Sequence, residues 1–115
     1  MLKGLGNIAD MAKMMKAAQA MQSRMAELQD SLARVIITGE AGAGLVAVRC
    51  TGKGDVIGID LSPSILHASA QQQAQDLILA AIQDAQSRAR AYMMSEMARI
   101  AQELGLPADM MLPNI

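Results

Sequence analysis

Residues 35–61 read VIITGEAGAGLVAVRCTGKGDVIGIDL. Three aliphatic, largely β-branched runs, Val35–Thr38, Leu45–Cys50 and Val56–Leu61, are separated by Gly39-Glu40-Ala41-Gly42-Ala43-Gly44 and by Gly52-Lys53-Gly54-Asp55. β-Branched side chains suit a pleated surface, and short glycine-rich linkers supply the backbone that hairpins need. The stretch therefore predicts three strands in hairpin order, an antiparallel meander. Strand alternation puts Ile57, Ile59 and Leu61 of the third run on one face, with Gly58 and Asp60 on the other.

Both flanks are helical in pattern. Upstream, Met11, Met14, Ala18, Met21, Met25, Leu28, Leu32 and Val35 recur at alternating steps of 3 and 4. That is a heptad seam, and Asn7 with Asp10 three residues on marks its expected N-cap. A helix of roughly 28 residues is about 42 Å long, too long for a 12.1 kDa domain to cover, so the seam predicts a homodimer. Downstream, Ser62-Pro63 reads as a cap and first-turn proline, and Ser69 with Gln72 as a capping box. A second helix then carries Leu77, Ile78, Ala81, Ile82, Ala85, Ala89, Tyr92, Met93, Met97, Ile100 and Leu104 on one stripe, and Gly105 and Pro107 stop it. The expected fold is α+β, in the order α-β-β-β-α, dimeric through helices and sheet. It occupies residues 1–104 as one domain, and 105–115 form a loose or lightly docked tail.

Composition narrows the function classes. Of 115 residues 52% are apolar, with 11 Met but no Trp, no Phe and one Tyr. Readers of single-stranded nucleic acid stack bases on aromatic rings, which this chain almost lacks. Ten Lys and Arg against eleven Asp and Glu give a net charge of −1, without the basic excess typical of nucleic-acid-binding domains. The first 24 residues depart from that balance, with Lys3, Lys13, Lys16 and Arg24 against Asp10 alone. A single cysteine, Cys50, forms no internal disulfide and fits a reducing compartment. No apolar run approaches the roughly 20 residues of a membrane span, and the N-terminus does not read as a signal peptide. A cytoplasmic location follows as the expectation.

Catalytic and metal-site patterns are incomplete. Gly39 to Gly44 has the glycine spacing of a phosphate loop, but Leu45 and Val46 stand where Lys and Ser/Thr belong, so a hairpin turn is the better reading. Asp60, Ser62 and His67 supply triad residue types without a nucleophile elbow. One Cys and one His are too few for a zinc site, and Cys50 on a strand suits a small buried hydrophobe. No cofactor and no small-molecule substrate are expected. On the heptad, Lys13 and Lys16 fall at outward positions, where Glu27 and Asp30 stand two turns later; Arg88 and Arg99 share one side of the second helix. Those charges are either a binding face or a solvated surface keeping a Met-rich dimer soluble.

The segment Gly4-Leu5-Gly6-Asn7-Ile8 with Gln19, Met21, Gln22, Met25 and Gln29, followed by Ile37-Thr38-Gly39-Glu40-Ala41-Gly42-Ala43-Gly44-Leu45-Val46 and Ile59-Asp60, resembles the YbaB/EbfC family of bacterial nucleoid-associated proteins. The likeness spans residues 4–104. It implies a homodimer whose long helices project like tweezers, binding of duplex DNA with little sequence preference, and a role in nucleoid organisation or gene expression. The chain departs from the family in having Ala47 where a Lys is common. On this reading the DNA-contacting candidates are Lys3, Lys13, Lys16, Arg24, Arg88 and Arg99, with Arg90 in reserve. The dimer interface is expected along Met11, Met14, Ala18, Met21, Met25, Leu28 and Leu32. The competing expectation is a helical adaptor whose adaptable Met seam binds a partner protein, with little or no DNA binding.

Overall fold

The computed structural model describes residues 2–105, with side chains from residue 8 onward. The side chains of Lys3 and Asn7, and the tail from residue 106, lie outside the described part. The element order is α1 (Leu2–Leu32), β1 (Ile36–Ala41), β2 (Val46–Thr51), β3 (Val56–Leu61), two 3-10 turns (Pro63–Ile65 and Ala68–Ala70) and α2 (Gln71–Glu103). This is the α-β-β-β-α order, with one antiparallel sheet arranged β1-β2-β3.

Local starts and stops differ from the sequence expectation at three places. α1 begins at Leu2, so Asn7 lies inside the helix and does not cap it; Asn is a mediocre helix former but no breaker. α2 starts without a side-chain cap, because the Ala68–Ala70 turn runs straight into it and Ala68 O accepts the Gln71 amide. Ser69 Oγ is instead 2.7 Å from His67 Nδ1. The third difference is in the first hairpin. β1 continues through Gly39, Glu40 and Ala41, and the turn contracts to Gly42-Ala43-Gly44, with φ of 63°, 55° and 91°. Ser62 caps the Pro63 turn as its sequence indicates, accepting from the Ser64 amide.

Gly39 is a strand residue for a packing reason. A Cβ at Gly39 would lie 2.2 Å from Ala85 N and 2.6 Å from Ala85 Cα, so the α2 backbone rests directly on β1. Ala81, Ala85 and Ala89, each essentially inaccessible, form the small-residue row that permits this approach. Beneath them Val46, Val48 and Cys50 of the central strand are fully buried, with Ile37, Ala41, Leu77, Ile78 and Ile82 closing the sides. The Cys50 thiol donates to Ala85 O at 3.5 Å, and burial pushes its pKa up, as befits a structural thiol.

α2 packs chiefly over β1 and β2. Ile59 pairs with Val48 and Leu61 with Val46, so these β3 side chains share the core face of the sheet. They nevertheless stay open, with Ile59 43% and Leu61 36% exposed.

The far half of α2 leaves the sheet and meets α1. Here the contact residues enlarge: Tyr92, Met93, Met97, Ile100 and Leu104 surround Leu28 and Leu32, with Met21 and Met25 at the margin. The helices run antiparallel, and α1 continues beyond the end of α2. Residues 8–16 are all exposed, forming an arm, and the described chain reaches an extent of 80 Å against 22 and 15 Å across. The Met seam thus divides. Leu28 and Leu32 are covered by the chain's own α2, whereas Met11, Met14 and Met15, with Ile8, are 63–70% exposed.

Gly39→Ala should lower stability by about 1–3 kcal/mol, since the intruding methyl meets backbone rather than a movable side chain. For a domain near this size each kcal/mol corresponds to roughly 4–8 °C in Tm, which a thermal melt followed by circular dichroism will read. An unchanged Tm would mean that α2 does not sit this close to β1.

Candidate nucleic-acid interface

Availability of positive charge decides what this surface can hold. A cation already paired with a carboxylate must surrender that partner before it can serve a phosphate. Five of the six arginines, Arg24, Arg34, Arg49, Arg88 and Arg99, are paired within the chain. Arg99 is bound on both sides, its Nη2 2.6 Å from Glu96 and its Nη1 2.7 Å from Glu103. Those two carboxylates, Glu96 first, raise its pKa further. Arg24 shares Glu103 from across the helix pair and lies 3.7 Å from Glu27. The α1–α2 groove therefore carries a closed network in which each guanidinium meets a carboxylate.

Arg88 is likewise engaged. Its Nε donates to Asp84 at 3.0 Å, and the same carboxylate accepts the Glu40 amide at 3.0 Å, tying α2 to the end of β1. The Glu40 amide, then the Arg88 guanidinium, hold the Asp84 carboxyl below its ordinary pKa. On β2 and β3, Arg49 and Asp60 pair across the sheet face turned away from α2.

Among the described residues, Lys13, Lys16, Lys53 and Arg90 form no ion pair. All four are exposed. Lys13 and Lys16, three residues apart, stand on the α1 arm, one turn from each other. The sequence candidates accordingly separate into two available lysines, three committed arginines (Arg24, Arg88, Arg99), and Lys3, whose side chain is outside the described part. The folded chain adds Lys53, at the tip of the β2–β3 hairpin, which no sequence pattern singles out, and brings Arg90 forward from reserve.

The triad residue types do not converge. Asp60 is held by Arg49, Ser62 Oγ lies 2.9 Å from Ser64 Oγ, and His67 is engaged with Ser69. No three His, Cys, Asp or Glu side chains among the described residues are grouped to hold a metal ion. None of the described helices is long and apolar enough to cross a membrane.

A two-helix protomer with a three-stranded meander and a projecting arm defines a class of small α+β proteins, and sequence comparison places the chain within it. Residues 7–104 match the YbaB/EbfC DNA-binding family. A nucleoid-associated protein of Bradyrhizobium diazoefficiens is 41% identical over 100 residues, covering 87% of this chain and 94% of that protein. One of Gluconobacter oxydans is 40% identical over 104 residues, covering 90% and 97%. The crystal structure of an uncharacterized protein of Helicobacter pylori shares the fold with a TM-score of 0.58 at 19% identity, over 68% of this chain and 90% of that one. The chain belongs to the YbaB/EbfC DNA-binding family.

The Asp84 linkage has a defined pH signature. A carboxyl whose folded pKa is depressed stabilises the fold above its unfolded value, and the contribution is lost as pH falls through the lowered folded value. Asp84→Asn should therefore lower Tm at neutral pH, with the gap from the native protein closing below the ordinary Asp pKa of about 3.9. Melts at pH 7 and across the acid range test this; a gap independent of pH would assign the effect to something other than the carboxylate.

Proposed function

We propose that the protein is a non-enzymatic nucleoid-associated protein that binds duplex DNA as a homodimer, chiefly through backbone phosphates, and acts in nucleoid organisation or gene expression. The observation that carries this reading is the pair Lys13 and Lys16, exposed and unpaired on an arm clear of the rest of the fold, in a chain whose arginines are nearly all committed to carboxylates. Family membership and the nucleoid-associated relatives support the same partner. Two lysines per arm deliver point charges without base-edge recognition, so binding is modest, tolerant of sequence and steeply dependent on salt.

The homodimer rests on apolar surface left open by the protomer. Ile8, Met11, Met14 and Met15 on the arm and Ile57, Ile59 and Leu61 on β3 are exposed, and a second copy of the chain offers matching surfaces to both. Ala18, Met21 and Met25 continue the arm's strip toward the helix pair, while Leu28 and Leu32 serve within the protomer. Dimerisation doubles the lysine pairs and sets two of them at separate stretches of duplex.

Light scattering at micromolar concentration should give a mass near twice 12.1 kDa, and Met11→Lys/Met14→Lys should reduce it to one chain without unfolding the sheet. In a duplex titration at several salt concentrations, Lys13→Gln/Lys16→Gln should flatten the slope of log affinity against log salt by about 0.9 for each phosphate no longer neutralised. Lys13→Glu/Lys16→Glu should abolish binding, and charge reversal at Glu27 and Asp30 should not weaken it. A native protein without salt-dependent duplex binding would replace this reading with the adaptor, whose docking surface would be the methionine strip.

A further inference from the structure

Among the described residues, the two remaining unpaired cations share one cleft. It has a volume of about 270 Å³ and lies between the Gly52-Lys53-Gly54 tip of the β2–β3 hairpin and the α2 turn bearing Gln86, Arg90 and Met93. Gln86 Nε2 donates to Gly54 O at 3.1 Å, and the Gly52 amide donates to Leu32 O at 2.9 Å. One bond thus fixes the hairpin to α2 and the other to the end of α1. Lys53 and Arg90 are consequently carried on two braced elements, rather than on a loose loop.

The charge balance of this cleft is unusual for the chain. A second cleft, about 200 Å³ between α1 and α2, is lined by Arg24, Glu27, Glu96 and Arg99, whose charges answer one another. At the hairpin cleft no carboxylate among the described residues does so. Asp55, the nearest acid along the hairpin, makes no ion pair with Lys53 or Arg90. On α2, Arg90 has Gln86, Ser87, Met93 and Met94 at the positions three and four away, so no helical partner is within reach. Two like charges at one cleft repel, and an anion between them converts that repulsion into attraction. A guanidinium fork beside an ammonium suits a phosphate oxygen set.

We propose that this cleft seats a backbone phosphate of duplex DNA between Lys53 and Arg90, a second contact distinct from the lysines of the arm. The proposal rests on the reading that duplex DNA is the partner. Lys16 lies 16 residues before Leu32 on α1, and Leu32 touches the hairpin through Gly52. At 1.5 Å per residue Lys16 and Leu32 are about 24 Å apart along the helix, less than the roughly 34 Å of one duplex turn. The axial separation is thus within the span of a single duplex turn.

The test is a fluorescence-anisotropy titration of the full chain with labelled duplexes of unrelated sequence over a range of salt. Lys53→Gln and Arg90→Gln should each weaken binding several-fold, equally on all duplexes, and flatten the salt slope by about 0.9 for each phosphate left unneutralised. Arg90→Lys retains the charge and should keep the slope. Arg88→Gln removes the same net charge two residues away, but from a pair with Asp84, and should leave the slope unchanged. Circular dichroism melts of the Lys53 and Arg90 variants should overlay the native curve, because both side chains are exposed. A native slope in Lys53→Gln/Arg90→Gln, alongside a flattened one in Lys13→Gln/Lys16→Gln, overturns the cleft contact while leaving DNA binding intact. Equal flattening by Arg88→Gln overturns it in favour of net charge. Saturable shifts of the Gly52–Gly54 amides by inorganic phosphate at sub-millimolar concentration would assign the cleft to a free phosphate ligand instead. Absence of any salt-dependent duplex binding by the native protein defeats both the cleft contact and the reading beneath it.

Discussion

Everything in the protomer is positioned by the closeness of α2 to β1. Gly39 has no side chain and Ala85 has only a methyl, so the helix backbone reaches the strand backbone where any other pairing would hold them apart. Because α2 is one uninterrupted helix of 33 residues, its seating on the sheet also fixes the direction of its far half. That half receives α1 through Leu28 and Leu32, and α1 carries the arm. A methyl group added under α2 would thus act at a distance, tilting the arm by leverage rather than by contact. The same economy of side-chain volume explains an interior without rings: alanine rows and one glycine leave slots that Val, Ile and Met fill.

Charge pairing shapes the surface more than it stabilises the fold. Exposed ion pairs contribute about 0–1 kcal/mol each, so the Arg24–Glu103–Arg99–Glu96 network is a minor term in stability. Its effect is on availability. By binding most guanidinium groups internally, the described chain confines unpaired positive charge to the arm and to the hairpin cleft. A net charge of −1 then ceases to conflict with an anionic partner, since attraction depends on local potential rather than on the sum.

Fold and site were unequally legible in the sequence. The meander declared itself through β-branched runs and glycine linkers, and the stripe from Leu77 to Leu104 is buried or half-buried throughout. What misled was the role of Gly39. A glycine beside Glu40 and Gly42 reads as turn chemistry, whereas its purpose is contact with Ala85, 46 residues away. No local pattern contains that information. Ser69 misled similarly, because a capping box and a histidine partner call for the same hydroxyl. The commitment of the arginines, by contrast, was readable. Arg24, Arg34, Arg88 and Arg99 each have an acid three or four residues away, and Arg90 has none. Only the cross-helix link from Arg24 to Glu103 and the cross-strand link from Arg49 to Asp60 needed the folded chain.

The lone ring has an optical consequence. With no Trp and no Phe, Tyr92 is the whole aromatic chromophore of the molecule, and it lies in the α1–α2 layer beside the Leu28–Leu32 cluster rather than under the sheet. Near-ultraviolet dichroism and intrinsic emission therefore report from one site alone, while far-ultraviolet dichroism averages every amide. Separation of the two signals during heating would mark the moment at which the arm's helix parts from α2 while the sheet still holds.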